Sequence, residues 1–349
     1  MILVLTMAAV LWGIGIAMGA PKQQRWVLIG VLMLAVLTIQ LTLPAGHPLR
    51  EATGGDVRLW LLLIGFAALF MGYFRLVRGL RARAAQPVAA PAPDSAAPLS
   101  EVELTRYARH IMLREIGGPG QVALKRAKVL VVGAGGLGAP ALQYLAAAGV
   151  GTLGVIDDDA VDASNLQRQV IHGSEDIGTP KVQSATDKLA ALNPHIALRP
   201  YHRRLTPEIA GDLIADYDLV LDGSDNFQTR YLVNETCVRL GKPLIAAALT
   251  QWEGQISLYD PARGTPCYAC IFPEAPDPAL VPSCAEAGVL GPLPGVVGSM
   301  MAVEAVKHLT GAGRTLAGRL MLYDALDGEV RSIAITPRPG CPVCGATEV

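Results

Sequence analysis

Apolar residues are spread along this chain in two different patterns. Before residue 83 they form three long charge-free runs, Ile2 to Gly19, Trp26 to Leu49 and Leu59 to Phe74; beyond Leu99 they come in short runs separated by glycine, aspartate and polar stretches. The long runs predict membrane-spanning helices. The first two reach the roughly 18 to 20 residues that a bilayer core requires, and the third, though shorter, is flanked by Arg58 and Arg75, whose stems reach back to the interface. Lys22 and Arg25 follow the first run, and Arg75, Arg78, Arg81 and Arg83 follow the third, whereas the loop from Ala45 to Arg58 balances Arg50 and Arg58 against Glu51 and Asp56. Positive charge marks the cytoplasmic side, so the N-terminus is expected outside and the C-terminal part in the cytoplasm. A cleaved signal peptide is the alternative for the first run, which lacks a positive leader.

The short runs predict strands. Val129 to Val132 is wholly apolar, as in a parallel strand buried on both faces. It runs into Gly133, Gly135, Gly136 and Gly138, followed by the Ala-rich stretch Ala139 to Ala148, which reads as a helix, and by a second strand, Leu153 to Ile156, that closes in Asp157. Strand, glycine turn, helix, strand and acid form a nucleotide-binding βαβ pattern. The glycines bring the backbone close to a ligand, the helix N-terminus favours phosphate, and the acid accepts from a ribose. The loop does not say which nucleotide, and an NAD-binding redox protein remains open on it alone. Asp218 to Leu221, Leu244 to Ala248 and Gln255 to Tyr259 predict further strands, the last two antiparallel because Trp252 to Gly254 is too short for a crossover. The expected fold class is α/β, a Rossmann-like mixed sheet with helices on both faces, plus N-terminal transmembrane helices. The expected divisions are a membrane region at 1–83, an Ala/Pro-rich tether at 84–98 and a soluble domain at 99–349.

Hydrophobic residues make up 51% of the 349, which is high for a soluble protein and is concentrated in the N-terminal runs; the net charge of -1 gives no footprint for nucleic acid. Four of the six cysteines form two CxxC pairs, Cys267/Cys270 and Cys341/Cys344. Two such knuckles supply tetrahedral Zn²⁺ with four thiolates and leave no open position, so the metal is expected to staple the tail to the body. A redox pair would need a CxxC at a helix start, which the Pro-rich surroundings disfavour. Cys237 reads as a core residue. Cys284 is either an exposed nucleophile or an unreactive loop thiol.

Polar clusters sit where such sheets bind ligands. In SNLQRQ, Ser164 to Gln169, Arg168 is placed to clamp a phosphate and Asn165 to fix a loop or a metal-bound water. Lys181 opens the next helix. Asp222 and Asp225, in DGSDN, suit either Mg²⁺ or simple turn capping. Ser100 and Glu103 form a capping-box signature for a helix from Glu101 to Leu113, which carries Arg106 and Arg109. The six histidines show no metal-ligand or triad spacing and read as structural.

Taken in order, RYARHIMLREIG, GAGGLG, DDDAVDASNLQRQ, IGTPKV, LDGSDN, CYAC, CAEAGV and CPVC resemble the ubiquitin-activating-type (HesA/MoeB/ThiF) adenylyltransferases that act on sulfur-carrier proteins, nearest to those serving molybdopterin synthase. The resemblance covers about Leu99 to Cys344 and not the membrane region. It implies an eight-stranded mixed sheet and an activity in which MgATP adenylates the C-terminal Gly-Gly of a small β-grasp carrier, releasing pyrophosphate. It implies that Arg168 and Lys181 bind phosphate, Asp225 binds Mg²⁺ and Asp157 the ribose, with Gly136, Ser164, Asn165, Leu166, Gln167 and Asn226 as further nucleotide contacts. Arg109 matches a residue that reaches the ATP of the other subunit, which implies a homodimer with shared sites. Cys284 matches a cysteine that links covalently to the carrier in some members and is dispensable in others. The alternatives are a carrier of a thiamine or cysteine pathway, or a membrane-tethered scaffold that binds a carrier without activating it. The sulfur donor is expected to be a separate protein. Membrane lipid is the expected N-terminal partner, and the expected address is the cell inner membrane with the catalytic domain cytoplasmic.

Overall fold

The structure, a computed structural model, describes residues 2–44, 46–84, 97–276 and 287–345. The chain divides into two compact units, Met1–Ala89 and Ala90–Val349.

The first unit is helical, with helices Ile2–Ala17, Lys22–Thr42, Pro48–Ala52 and Val57–Ala84. The expected run lengths come out reversed. Gly19 adopts φ +67 and Pro21 opens the next helix, so the first helix stops at 16 residues, about 24 Å, while the third run lies inside a helix of 28 residues. Among the described residues, Gln23–Thr42 and Pro48–Val77 are the segments long and apolar enough to cross a membrane. Val4, Val36 and Trp60 form a small interior. Most other large apolar side chains of this unit, including Leu34, Phe66 and Phe70, are exposed.

The second unit is built on one eight-stranded sheet: β1 Lys128–Val132, β2 Thr152–Asp157, β3 Ala197–His202, β4 Leu219–Asp222, β5 Leu244–Leu249, β6 Glu253–Tyr259, β7 Arg319–Asp324 and β8 Glu329–Ala334. The order is β3-β2-β1-β4-β5-β6-β7-β8. The first five strands pair in parallel, and β5 to β8 pair antiparallel as a meander. The alternation of side chains along β1 shows why its run is apolar throughout. Val129 and Val131 enter the core shared with helices Gly138–Ala148, Lys181–Leu192 and Pro292–Thr310, while Leu130 and Val132 enter the core shared with Pro207–Ala215 and Phe227–Leu240. The order reverses between β2-β1 and β4-β5. The helices that follow β1 and β4 therefore run to opposite faces, and the loops leading to them flank a crevice at the switch point, the place where open α/β sheets bind ligands.

The expected helix from Glu101 to Leu113 is interrupted. Ser100 and Glu103 do form a capping box, but the helix ends at Arg106, and a second turn runs Ala108–Ile111. Tyr107 breaks it because its ring packs over Gly149 and its hydroxyl accepts from Asn193 Nδ2 at 2.8 Å.

Candidate functional site

Glycine is required where the two loops of the crevice touch. Gly133 leaves β1 with φ +93, and a Cβ there would stand 3.2 Å from the Gly223 carbonyl oxygen in the loop after β4; a Cβ on Gly138 would stand 1.8 Å from the Gly133 carbonyl oxygen. The Gly223 N–H donates to the Val132 carbonyl at 3.0 Å, which joins the loops. Gly136 packs against Pro294, and Gly135 faces the Gln169 amide.

Two side chains hold the peptide groups of Ala134 between these glycines. Asp157 Oδ2 accepts from the Ala134 N–H at 2.8 Å, and its Oδ1 accepts from the Asp159 N–H at 2.8 Å. Burial raises the Asp157 carboxyl above the usual aspartate range, against the pull of the Ala134 N–H and the Lys181 charge. His172 is buried, with Nε2 3.1 Å from the Ala134 carbonyl oxygen and Nδ1 2.8 Å from Ser184 Oγ. A carbonyl only accepts, so Nε2 carries the proton, and Nδ1 of a neutral ring takes the Ser184 hydroxyl. Burial lowers the His172 pKa, in keeping with a neutral ring.

Lys181 Nζ pairs with Asp159 Oδ2 at 2.7 Å; the lysine side chain is buried and the carboxylate is largely exposed. The ammonium is thus neutralised by a carboxylate that itself stands in solvent. Arg168 Nη1 donates to the Ser164 carbonyl at 3.1 Å, and Ser164 is held by Asp162 through its N–H at 2.8 Å and its hydroxyl at 2.6 Å. Gln167 lies against Gly291 at the start of helix Pro292–Thr310. Asn165 and Leu166, just before it in the chain, are half-buried.

The two aspartates after β4 have different fates. Asp222 is buried, accepts from the Ser224 N–H at 2.9 Å and lies 3.8 Å from Arg230 Nη1, while Arg230 Nη2 donates to the Ser224 carbonyl. Asp225 is exposed and makes no hydrogen bond or ion pair among the described residues. Asn226 caps helix Phe227–Leu240, its Oδ1 accepting from the Thr229 N–H at 2.9 Å. Of the two early arginines, Arg106 donates to the Leu192 carbonyl at 2.9 Å, whereas Arg109 is exposed and has no such bond among the described residues.

Away from the crevice, the four CxxC cysteines converge. Cys267 and Cys270 Sγ lie 3.8 Å apart, Cys267 and Cys341 3.7 Å, Cys270 and Cys344 3.3 Å. Sulfurs about 2.3 Å from a tetrahedral zinc stand roughly 3.8 Å from one another, so the donor set and its spacing fit that ion. Contrary to expectation, the first CxxC does begin a short helix, Tyr268–Ile271, with Cys267 as its N-cap. The redox alternative is therefore set aside by the convergence of the second pair and not by the absence of a helix. Cys237 is buried in the core, which raises its thiol pKa. Cys284 lies outside the described residues.

His172, Gln169 and Arg230 are the residues of this region that sequence reasoning did not single out. Only their chain positions, His172 just after SNLQRQ, Gln169 at its end and Arg230 just after DGSDN, hint at them, since the His172 bond to Ala134, the packing of Gln169 against Gly135 and the Arg230–Asp222 ion pair are tertiary.

A family model described as the ThiF family matches residues 107–343. The chain belongs to the ThiF family. Among its relatives, the sulfur carrier protein adenylyltransferase of Thermus thermophilus is 53% identical over 247 residues, covering 70% of this chain and 91% of the relative. The probable adenylyltransferase/sulfurtransferase MoeZ of Mycobacterium tuberculosis is 52% identical over 255 residues, covering 72% of this chain and 65% of that longer protein. Among solved structures, E. coli MccB with ATP superposes with a TM-score of 0.60 at 26% identity, covering 69% of this chain and 74% of that one. PaaA, at 22% identity and a TM-score of 0.60, covers 84% of this chain and 91% of its own and shares the fold. The ThiF match takes in the glycine loop, Arg168, Lys181, Asp225 and the first three zinc-knuckle cysteines, and excludes the helical N-terminal unit.

Proposed function

We propose that the second unit adenylates the C-terminal carboxylate of a small sulfur-carrier protein. The observation that carries this reading is the meeting of the Gly133–Gly138 loop with the Asp222–Asn226 loop at the switch point of a ThiF-family sheet, with a buried lysine beside it whose ion-pair partner among the described residues is an exposed aspartate. ATP is the substrate that fits. Asp157, fixed to the loop by the Ala134 N–H, accepts from the ribose, and Lys181 and Arg168 offset the phosphate charge. A carrier carboxylate oxygen then attacks the α-phosphorus, the bond to the β-phosphate breaks, and pyrophosphate leaves. Bringing two anions together is the difficulty, and fixed cations answer it. Asp225, with its carboxylate unengaged, would hold Mg²⁺, which supplies further neutralisation of the phosphates when bound.

Arg109 makes no side-chain hydrogen bond or ion pair among the described residues. Val102, Leu104, Met112 and Leu113 around it are exposed, an apolar surface that suits a second copy of the chain. We assign Arg109 to the partner subunit's nucleotide in a homodimer. The carrier is one ending in Gly-Gly, of the molybdopterin-synthase small-subunit type. The four cysteines hold zinc and tie the C-terminal tail to the segment after β6. Gln23–Thr42 and Pro48–Val77 cross the cell membrane, their exposed apolar faces toward lipid, with the second unit on the cytoplasmic side that the basic residues mark. Mass spectrometry of candidate carriers incubated with the protein and ATP tests the activity: an acyl-adenylate on one of them is expected, and unmodified carriers throughout would refute it.

A further inference from the structure

Beyond the crevice, the loop that links helix Pro292–Thr310 to β7 borders a second charged space, open to solvent. A cavity of about 650 Å³, within the range of small-molecule sites, is lined by Gly313, Arg314, Thr315, Gly318 and Arg319 from this loop and by Ser332 from β8. No carboxylate lines it. Arg319 Nε donates to Ser332 Oγ at 2.9 Å, which fixes the guanidinium and leaves its two Nη groups for another acceptor. Arg314 is exposed, and neither arginine has an ion-pair partner among the described residues. The neighbouring Arg331 on the same hairpin is neutralised, its Nε donating to Glu329 at 3.0 Å. Two uncompensated guanidinium groups facing one space repel each other, and an anion between them removes the repulsion.

The hydroxyls narrow the ligand. Thr315 Oγ1 accepts from the Ala317 N–H at 3.4 Å and Ser332 Oγ accepts from Arg319, so each hydroxyl proton remains to be donated outward. Donors arriving from two guanidinium groups and two hydroxyls suit a tetrahedral oxyanion better than a planar carboxylate. We propose that the cavity between the 311–319 loop and β8 is a second anion site that binds a phosphate group through Arg314, Arg319, Thr315 and Ser332. Such a group belongs either to free phosphate or to a phospholipid headgroup.

Isothermal titration of the full chain in detergent, its nucleotide site saturated with a non-hydrolysable ATP analogue, separates these sources. The probes are inorganic phosphate and soluble dihexanoylphosphatidylglycerol. Binding of phosphate that weakens at least tenfold in Arg314→Gln/Arg319→Gln supports a free-phosphate site. Binding of the lipid alone, with the same loss, supports a headgroup site. Arg314→Gln by itself changes only an exposed side chain and is expected to weaken binding at least threefold without altering the melting temperature. Failure of both probes to bind the wild-type chain, or binding unchanged in the double variant, overturns the proposal.

Discussion

The crevice at β1 and β4 and the cysteine cluster after β6 both gather residues from distant parts of the chain, yet their polar groups are treated in opposite ways. At the cysteine cluster every sulfur faces another within 4.8 Å, three of the four cysteines are buried, and the geometry has no direction left open. In the crevice the backbone is pinned from behind by Asp157 and His172, while Asp225 is left without a partner among the described residues and Lys181 keeps one that is exposed. A saturated cluster holds structure; an unsaturated one on a rigid base is able to do chemistry. The contrast predicts that substitutions at the two places separate activity from folding.

The largest effect is expected at Lys181. Lys181→Ala should lower adenylation by about 10²–10³-fold with an unchanged melting temperature, because the proposed mechanism sets that cation against the reacting phosphates; a fall in stability instead of activity, read by calorimetry, would place the lysine among the structural groups. Asp225→Ala should behave alike. Cys270→Ser should do the reverse, releasing zinc and lowering the melting temperature by roughly 5 °C or more while the folded fraction still binds ATP. Metal analysis and calorimetry on one sample check both halves.

A third test addresses sharing between subunits. In the proposed homodimer, Arg109→Ala and Lys181→Ala, each nearly inactive, should recover about a quarter of the wild-type rate when mixed and allowed to exchange, since a hybrid dimer would carry one intact site. No recovery would confine Arg109 to its own chain.

The smallest effects concern pH. The raised pKa of Asp157 means that its carboxylate protonates at a higher pH than an ordinary aspartate, so the KM for ATP should rise as pH falls through that range, and Asp157→Asn should remove the dependence. Glu103 shows the opposite sign. Burial pushes its pKa up, but the Lys125 and Ser100 hydrogen bonds outweigh burial and hold it below the usual glutamate range, so its contribution to stability is complete above that range and is lost as pH falls through the lowered value. Melting temperatures of wild type and Glu103→Gln should therefore converge in acid.

Much of this arrangement is legible in the chain because it depends on local spacing. Gly133 and Gly138 are forced by a turn, the CxxC pairs have the spacing of metal knuckles, and the antiparallel pairing of β5 with β6 follows from a short connection. The rest depends on contacts across the fold. Nothing near Tyr107 announces that its ring will settle on Gly149 and break a helix, and nothing in VIH announces that His172 will hold Ala134. DGSDN offers two aspartates, and only the burial of Asp222 against Arg230 shows which one is spent on structure. The lengths of the N-terminal helices escape the sequence for a similar reason: hydropathy marks apolar runs, whereas Gly19 and the turn before Val57 set where helices stop and start.

ATP–pyrophosphate exchange by the full chain, measured with each candidate carrier ending in Gly-Gly added in turn, tests the central claim most directly. The account predicts exchange that depends on one carrier and disappears in Lys181→Ala. Absence of exchange with every carrier, in protein shown to contain zinc and to bind ATP, would contradict it.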